Sequence, residues 1–375
     1  ITRGGAVVSL GNTFKNVKGT LQLYMNEGKH VSELPADDDE KKYDSRDSMY
    51  GAKLRQDIKI NDSAILTSGA EFRYYGGDSE NAITGDKYTD DAWIKEGSVF
   101  GLLSQRFLDI FSASAGARYT RSSDFGGYWS WQGNASAMPS DSTRIYAGAA
   151  RGFKLPDIIQ YYNKWMAGDM TLDETDADLD PETYTVYEAG IEQKIFTKAE
   201  VDVAGYRVYS KNKFIKEVVA PMTTNWKNAD DFNYNGLEAV LKLTPVKWLA
   251  LSGGYSFIDN EQNGKSIPYV PKHRIISSAE VTAGGFFLGL NSEYVKEIYA
   301  SEEEKEIPFP PGTIVEKKKL DDHFILNAKL AYTFLERYRV FVNLNNLTDN
   351  EYAGYASYSS PPVNEFYEYP VPGFN

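Results

Sequence analysis

The sequence contains no cysteine and only three histidines in 375 residues. That removes disulfides, thiolate metal sites and cysteine nucleophiles, and it leaves little material for a histidine-built metal centre. No run approaches the roughly 18 consecutive apolar residues that a membrane helix needs, so α-helical spans are excluded. Positive charge is in short supply: 40 Lys and Arg stand against 53 Asp and Glu, a net charge of -13. A nucleic-acid surface, which needs excess basic side chains, is therefore not expected. The chain has no Gly-x-Ser-x-Gly elbow, no phosphate-cradling loop and no His-Glu-x-x-His motif. Carboxylates are so abundant that singling out any catalytic pair would carry no weight. The expectation is a protein that is not an enzyme and that has neither a cofactor nor a side-chain metal site. The opening residues Ile1-Thr2-Arg3-Gly4-Gly5 carry no start methionine and no signal segment, so location has to be inferred from the body of the chain.

What the sequence does have is tyrosine, phenylalanine, glycine and period-two alternation. There are 27 Tyr, 19 Phe and 31 Gly, and aromatic residues favour the pleated surface of strands. In His323–Phe334 one phase is apolar (Phe324, Leu326, Ala328, Leu330, Tyr332, Phe334), while Asn327, Lys329 and Thr333 fill most of the other. Leu237, Ala239, Leu241 and Leu243 alternate with Glu238 and Lys242, and Val340, Val342 and Leu344 with Arg339, Asn343 and Asn345. The pattern predicts about fifteen to seventeen strands, each with one greasy and one wet face.

The connections alternate in length. Short joins at Lys15–Lys18, Lys59–Ser63, Arg106–Ile110, Thr197–Ala199, Thr244–Lys247, Ala283–Gly285 and Leu335–Tyr338 are interleaved with long polar segments. The long ones are Val31–Asp47, Gly76–Lys95, Ser122–Asp141, Gly152–Thr183, Asn212–Asp230, Asn260–His273, Val295–Asp322 and Asn346–Glu368. Antiparallel pairing collects the long segments at one rim and the short turns at the other, which is the rhythm of an outer-membrane barrel. Lipid tolerates no open backbone edge, so the strands are expected to close, with apolar side chains facing lipid. The mean hydropathy of -0.47 fits strands that are half wet. The acidic runs Asp37-Asp38-Asp39-Glu40 and Glu302-Glu303-Glu304 read as solvated loop surface, without the spacing of a calcium loop.

Several segments carry a resemblance. Arg151-Gly152-Phe153-Lys154-Leu155-Pro156-Asp157, Leu179-Asp180-Pro181-Glu182-Thr183 with Tyr187-Glu188-Ala189-Gly190-Ile191-Glu192, and Asn233-Tyr234-Asn235-Gly236-Leu237-Glu238 occur in that order. They are followed by Ile267-Pro268-Tyr269-Val270-Pro271-Lys272-His273-Arg274, then Asn343-Leu344-Asn345-Asn346-Leu347-Thr348-Asp349-Asn350-Glu351-Tyr352, and finally Tyr369-Pro370-Val371-Pro372-Gly373-Phe374-Asn375. Order and spacing resemble the barrel domain of TonB-dependent outer-membrane receptors. The resemblance implies an all-β fold, an antiparallel transmembrane β-barrel that is an incomplete portion of a 22-stranded one. Residues 1–375 then form a single barrel domain, with the family's N-terminal plug and its terminal strand missing.

By that resemblance the parent is a bacterial outer-membrane receptor that binds a scarce ligand, a ferric siderophore first among them. It imports the ligand through plug movement driven by a TonB-type energy-coupling partner, as a monomer among outer-membrane lipids. A passive porin or specific diffusion channel, a surface-binding barrel, and a cobalamin or other organometallic receptor remain alternatives. Candidate ligand contacts are the aromatics and one cation expected on outer loops: Trp129, Trp131, Tyr161, Tyr162, Lys164, Trp165, Trp226, Tyr355 and Tyr358. Such rings offer contact area at low rotamer cost, though each could equally serve as a membrane-girdle or loop-packing residue. Arg151 is a candidate for the lumen or for a plug contact, with a structural ion pair as the plainer reading. Gly152 beside it is expected to permit a close approach. His30, His273 and His323 are too dispersed to predict a metal site.

Overall fold

The structure is a computed structural model describing residues 1–33, 42–158, 179–220, 223–229, 231–259, 261–262, 265–308, 311–358 and 366–370. The chain runs through β1 (Thr2–Phe14), β2 (Val17–Glu33), β3 (Lys42–Asn61), β4 (Ala64–Asn81), β5 (Lys87–Phe107), β6 (Phe111–Ser122), β7 (Gly126–Ser140), β8 (Thr143–Lys154), β9 (Glu182–Ile195) and β10 (Ala199–Lys211). It continues through β11 (Phe214–Ala220), β12 (Thr223–Asn228), β13 (Phe232–Val246), β14 (Leu249–Asp259), β15 (Glu261–Gln262), β16 (Lys265–Ser266), β17 (His273–Ala283) and β18 (Phe286–Lys296). The last elements are β19 (Ile298–Pro308), β20 (Pro311–Leu320), β21 (His323–Phe334), β22 (Tyr338–Leu344), β23 (Ala353–Tyr358) and β24 (Phe366–Pro370).

Among the described residues, sixteen strands pair in chain order: β1 through β10, then β13, β14, β17, β18, β21 and β22. The remaining eight form four hairpins, β11–β12, β15–β16, β19–β20 and β23–β24. Each hairpin is spliced into a long connection, so the segments read as loops carry local strand structure of their own. Backbone contacts divide the residues into two compact units. The first is Ile1–Ala135, Gly148–Val186 and Tyr209–Phe232; the second is Ser136–Ala147, Tyr187–Val208 and Asn233–Asn375.

Two of the expected long segments are corrected. Ser122–Asp141 is mostly strand β7, entered by the tight turn Ser123–Phe125, in which Phe125 is buried and Gly126 takes a φ of 80°. Gly76–Lys95 shrinks to residues 82–86, because β4 and β5 run on well past the apolar phase. Their outer ends carry polar residues in both phases, Ser79, Asn81 and Thr89 being buried, so alternation vanishes there while the backbone ladder continues.

The two faces differ as the alternation requires. On one face of the first unit stand Val8, Leu23, Leu54, Phe72, Val99, Leu103, Phe107 and Phe111, all largely exposed. A water-soluble sheet would cover such a row, whereas a lipid-facing sheet presents it to acyl chains. The opposite face carries charge, described below. In the second unit, Val295, Ile298, Ala300, Leu320 and Ala353 form a small apolar cluster around the long connections.

Several short turns require the left-handed region. Gly284 and Gly285 adopt it, but so do Leu108-Asp109 and Leu335-Glu336, at about 1–2 kcal/mol per non-glycine residue. The ladder on each side supplies that cost.

Candidate functional site

The charged face of the first unit is built by strand register. Lys53 lies opposite Glu71, Arg73 opposite Glu96, and Phe100 opposite Arg118. A period of two then places Lys53, Arg55, Asp57, Glu71, Arg73, Tyr75, Glu96 and Arg118 on one side. Arg118 Nη2 donates to Glu71 Oε2 at 2.6 Å, and the guanidinium lies 5.7 Å from the Phe100 ring centre. Arg73 pairs with the buried Glu96, whose other oxygen accepts from Tyr75 Oη at 2.5 Å. Arg55 and Thr67 both donate to Asp57.

Tyr24 completes the row. Its hydroxyl donates to Glu71 Oε1 at 3.3 Å, and its ring lies flat over Gly51, where a Cβ would come within 2.1 Å of the ring. The same device recurs in the second unit, with Tyr146 over Gly190 and bonded to Asp202 at 2.9 Å, and with Tyr206 over Gly236. The glycines in Glu-Ala-Gly-Ile-Glu and Tyr-Asn-Gly-Leu-Glu thus have a steric reason.

Two cavities run along the charged face within the first unit. The outer one, about 940 Å³, is bordered by Arg46, Arg73 and Arg118 and by four carboxylates, Asp47, Asp78, Glu96 and Asp157. The inner one, about 500 Å³ and nearer the short turns, is bordered by Lys53, Arg55, Arg118 and Arg151 and by no carboxylate. Arg118, Ser130 and Gly152 border both. Among the described residues, Lys53 and Arg151 form no ion pair. Because Arg55 and Arg118 are paired with Asp57 and Glu71, the charge along this face goes from mixed at the outer end to net cationic at the inner end, in a chain whose net charge is -13.

The Arg151–Asp157 segment is the link between the sequence and the site. Arg151 and Gly152 border the inner cavity; Gly152, Phe153, Leu155, Pro156 and Asp157 border the outer one. Pro156 is fully buried where the strand ends. Gly152 is not the close-approach point that its residue type suggested: a Cβ there would meet nothing within 4 Å.

The other candidates do not converge. Trp129 packs on Tyr119 with ring centres 5.1 Å apart. Tyr119 sits between Arg118 and Thr120, which face the cavities, so both rings lie on the opposite, apolar side. Trp131 shares the Trp129 face by alternation and also borders the inner cavity. Trp226 is half-buried in β12, with its backbone opposite Lys216. Tyr355 and Tyr358 lie in β23, opposite Tyr369 and Phe366, and their side chains lie outside the described residues. Tyr161, Tyr162, Lys164 and Trp165 also lie outside the described residues. Among the described residues no three His, Asp or Glu side chains gather to hold a metal. His273 Nδ1 and Tyr255 Oη are 2.9 Å apart, and His323 stacks on Tyr352 at 4.1 Å.

The segment ending in Glu182 anchors the outer elements. Glu182 is buried, and its Oε1 accepts from the backbone N–H of Phe214 at 2.6 Å. Asn228 accepts from Asp180 N at 2.8 Å and donates to Asp180 O and Asn212 O at 2.8 and 2.7 Å. The β11–β12 hairpin is thereby fastened to the start of β9.

Residues 5–347 match the family described as TonB dependent receptor-like, beta-barrel. The chain belongs to that family. That family places it in the outer membrane and is a transport class, not a catalytic one. Ferric enterobactin receptor PirA of Pseudomonas aeruginosa is 26% identical over 281 residues, 66% of this chain and 37% of that protein. The crystal structure of the siderophore receptor PirA from the same organism superposes with a TM-score of 0.73 at 18% identity, over 93% of this chain and 61% of the other. The copper transporter OprC is as similar in fold, with a TM-score of 0.74 at 16% identity, over 99% of this chain and 64% of the other. These likenesses establish the fold. The chain spans less than two thirds of the length of each of these relatives.

Proposed function

We propose that the intact receptor takes up an anionic iron chelate of the siderophore class, and that these cavities are part of its route. The carrying observation is the inner cavity, bordered by four cations, of which Arg55 and Arg118 are paired with Asp57 and Glu71 while Lys53 and Arg151 add two uncompensated positive charges. In a setting of reduced dielectric, such a cluster attracts an anionic ligand well beyond contact distance. A tris-catecholate complex of ferric iron is trianionic, whereas cobalamin has no comparable charge. The family resemblance supplies the rest of the reading. The sixteen paired strands belong to a single barrel domain of 22 strands, a plug occupies the lumen, and a TonB-type partner moves it. Kinship with the ferric enterobactin receptor PirA favours the same ligand class.

The test is a titration of the intact receptor in detergent, following tryptophan fluorescence with a ferric tris-catecholate, cyanocobalamin and copper(II) in parallel. The expected result is saturable binding of the ferric complex, weakening with salt. Arg151→Gln with Lys53→Gln, which orphans no carboxylate, should weaken it by about tenfold or more. Binding of cobalamin or copper alone would reassign the ligand. Binding of none of the three, with ion conductance in planar bilayers, would identify a diffusion channel.

A further inference from the structure

The outward face of β4–β7 carries a feature that ligand uptake does not use. Phe107 and Phe111 pair across β5 and β6 beside the short turn Leu108–Ile110. Moving outward on the same face come Leu103 and Val99 on β5, and Ala113, Ala115 and Ala117 on β6. Lys95 then stands twelve residues along β5 from Phe107, and Arg121 ten along β6 from Phe111. At about 3.3 Å per residue and a tilt near 40°, this is about 25–30 Å along the membrane normal, the height of an outer-membrane apolar band. Both cations thus lie at headgroup level, not in the hydrocarbon and not far out in water.

They are also neighbours. Arg121 pairs with Gly97, and Ser123 N donates to Lys95 O, so the two side chains are diagonal on adjacent strands. Both are exposed, and among the described residues neither forms an ion pair. Lys95 Nζ lies 5.8 Å from the Tyr74 ring centre, and Tyr74 stacks on Trp93 at 4.6 Å. The nearby Asp91 carboxylate is engaged by Trp93 Nε1 at 2.9 Å. On the other flank, Tyr119 and Trp129 form the second ring pair. Aromatic pairs thus flank two cations above a smooth, Ala-rich apolar strip.

We propose that Lys95 and Arg121 form a site for the phosphate-bearing headgroup of an anionic outer-leaflet lipid, whose acyl chains lie along the Ala113–Ala117 strip. The occupant follows from charge and height: two cations without carboxylate partners meet phosphate at this level, and the small side chains below leave room for chains to descend. The ring pairs hold the flanks at the interface.

Native mass spectrometry of the intact receptor, released from micelles doped with phosphatidylglycerol or phosphatidylcholine, tests the site. The wild type should retain phosphatidylglycerol in preference to phosphatidylcholine. Lys95→Gln with Arg121→Gln should lower that retention about 30-fold, each basic residue near an anionic surface contributing a factor of about five. Lys95→Arg with Arg121→Lys keeps both charges and should retain it. Equal retention by the Gln variant, equal retention of phosphatidylcholine, or displacement by millimolar inorganic phosphate, which would mark a free-anion site, would overturn the proposal.

Discussion

Replacing Gly51 with alanine is expected to reverse its sign according to what stands at position 24. A Cβ at Gly51 would lie 2.1 Å from Tyr24 Cζ, and the three nearest atoms are all from that ring. No backbone atom is among them, so the ring must move, and its hydroxyl leaves Glu71 Oε1. A hydrogen bond to a charged group contributes about 1.5–3 kcal/mol. Against this, alanine in a strand interior gains about 0.5–1 kcal/mol over glycine. The net is a destabilisation of about 1–2 kcal/mol in Gly51→Ala. With Tyr24→Ala already in place, the ring is gone and Gly51→Ala should stabilise by about 0.5–1 kcal/mol. The assay is urea unfolding of the intact receptor in micelles, run as a double-mutant cycle. Equal effects of Gly51→Ala in both backgrounds would falsify the reasoning, since the glycine would then not be there for the ring.

Asn228→Ala removes all three hydrogen bonds that fasten the β11–β12 hairpin to Asp180 and Asn212. At about 1 kcal/mol each, hydrogen exchange in Phe214–Asn228 should speed up by about tenfold or more, while exchange in β3–β5 stays unchanged. Asp62, in the turn between β3 and β4, is held below the usual carboxylate range, first by its hydrogen bond from Lys59 Nζ at 2.5 Å and then by the charge of Lys59. A depressed folded-state value means that its contribution is complete above the unfolded value and is lost as pH falls through the folded one. Carboxyl NMR of Asp62 should therefore titrate below the free-aspartate value in wild type and return toward it in Lys59→Gln. Trp129 faces the membrane on this account, so in vesicles a brominated acyl chain should quench its fluorescence, whereas a water-borne quencher should not. The opposite pattern would return Trp129 to the outer loops.

The sequence was most informative where the two faces of a strand meet different surroundings. His323–Phe334 reads as a strand because one phase faces lipid, and β21 has those bounds. The rhythm of the connections rests on pairing and not on any one side chain, and it departs from the expectation at Gly76–Lys95 and Ser122–Asp141, which are short turns flanked by strand. Legibility failed where neither phase of a strand is consistently apolar. The outer parts of β4 and β5 lose alternation, and β7, Gly126–Ser140, is so rich in Gly, Ser and Asn that its tryptophans were expected on a loop. The turns at Leu108-Asp109 and Leu335-Glu336 carry no glycine, so their left-handed backbone leaves no local mark.

The cation-lined face was harder still. Lys53, Arg118 and Arg151 are far apart in the chain, and only register brings them together. The available signal was a charge every second residue opposite an apolar phase, as in Lys53, Arg55 and Asp57. Arg151 was reached through the Arg-Gly-Phe segment, which does border both cavities. The glycines of the other family-like segments have a cause that alternation cannot reveal, because the ring that covers each one comes from a neighbouring strand.

Energised uptake tests the central claim most directly. Cells whose only route for a ferric tris-catecholate is the full-length receptor would be given the radiolabelled complex, with and without a functional TonB-type partner and with the proton gradient intact or collapsed. The account predicts uptake that saturates, requires both the partner and the gradient, and falls in the Lys53→Gln, Arg151→Gln receptor. Uptake that rises linearly with concentration and survives loss of the partner and of the gradient would contradict it.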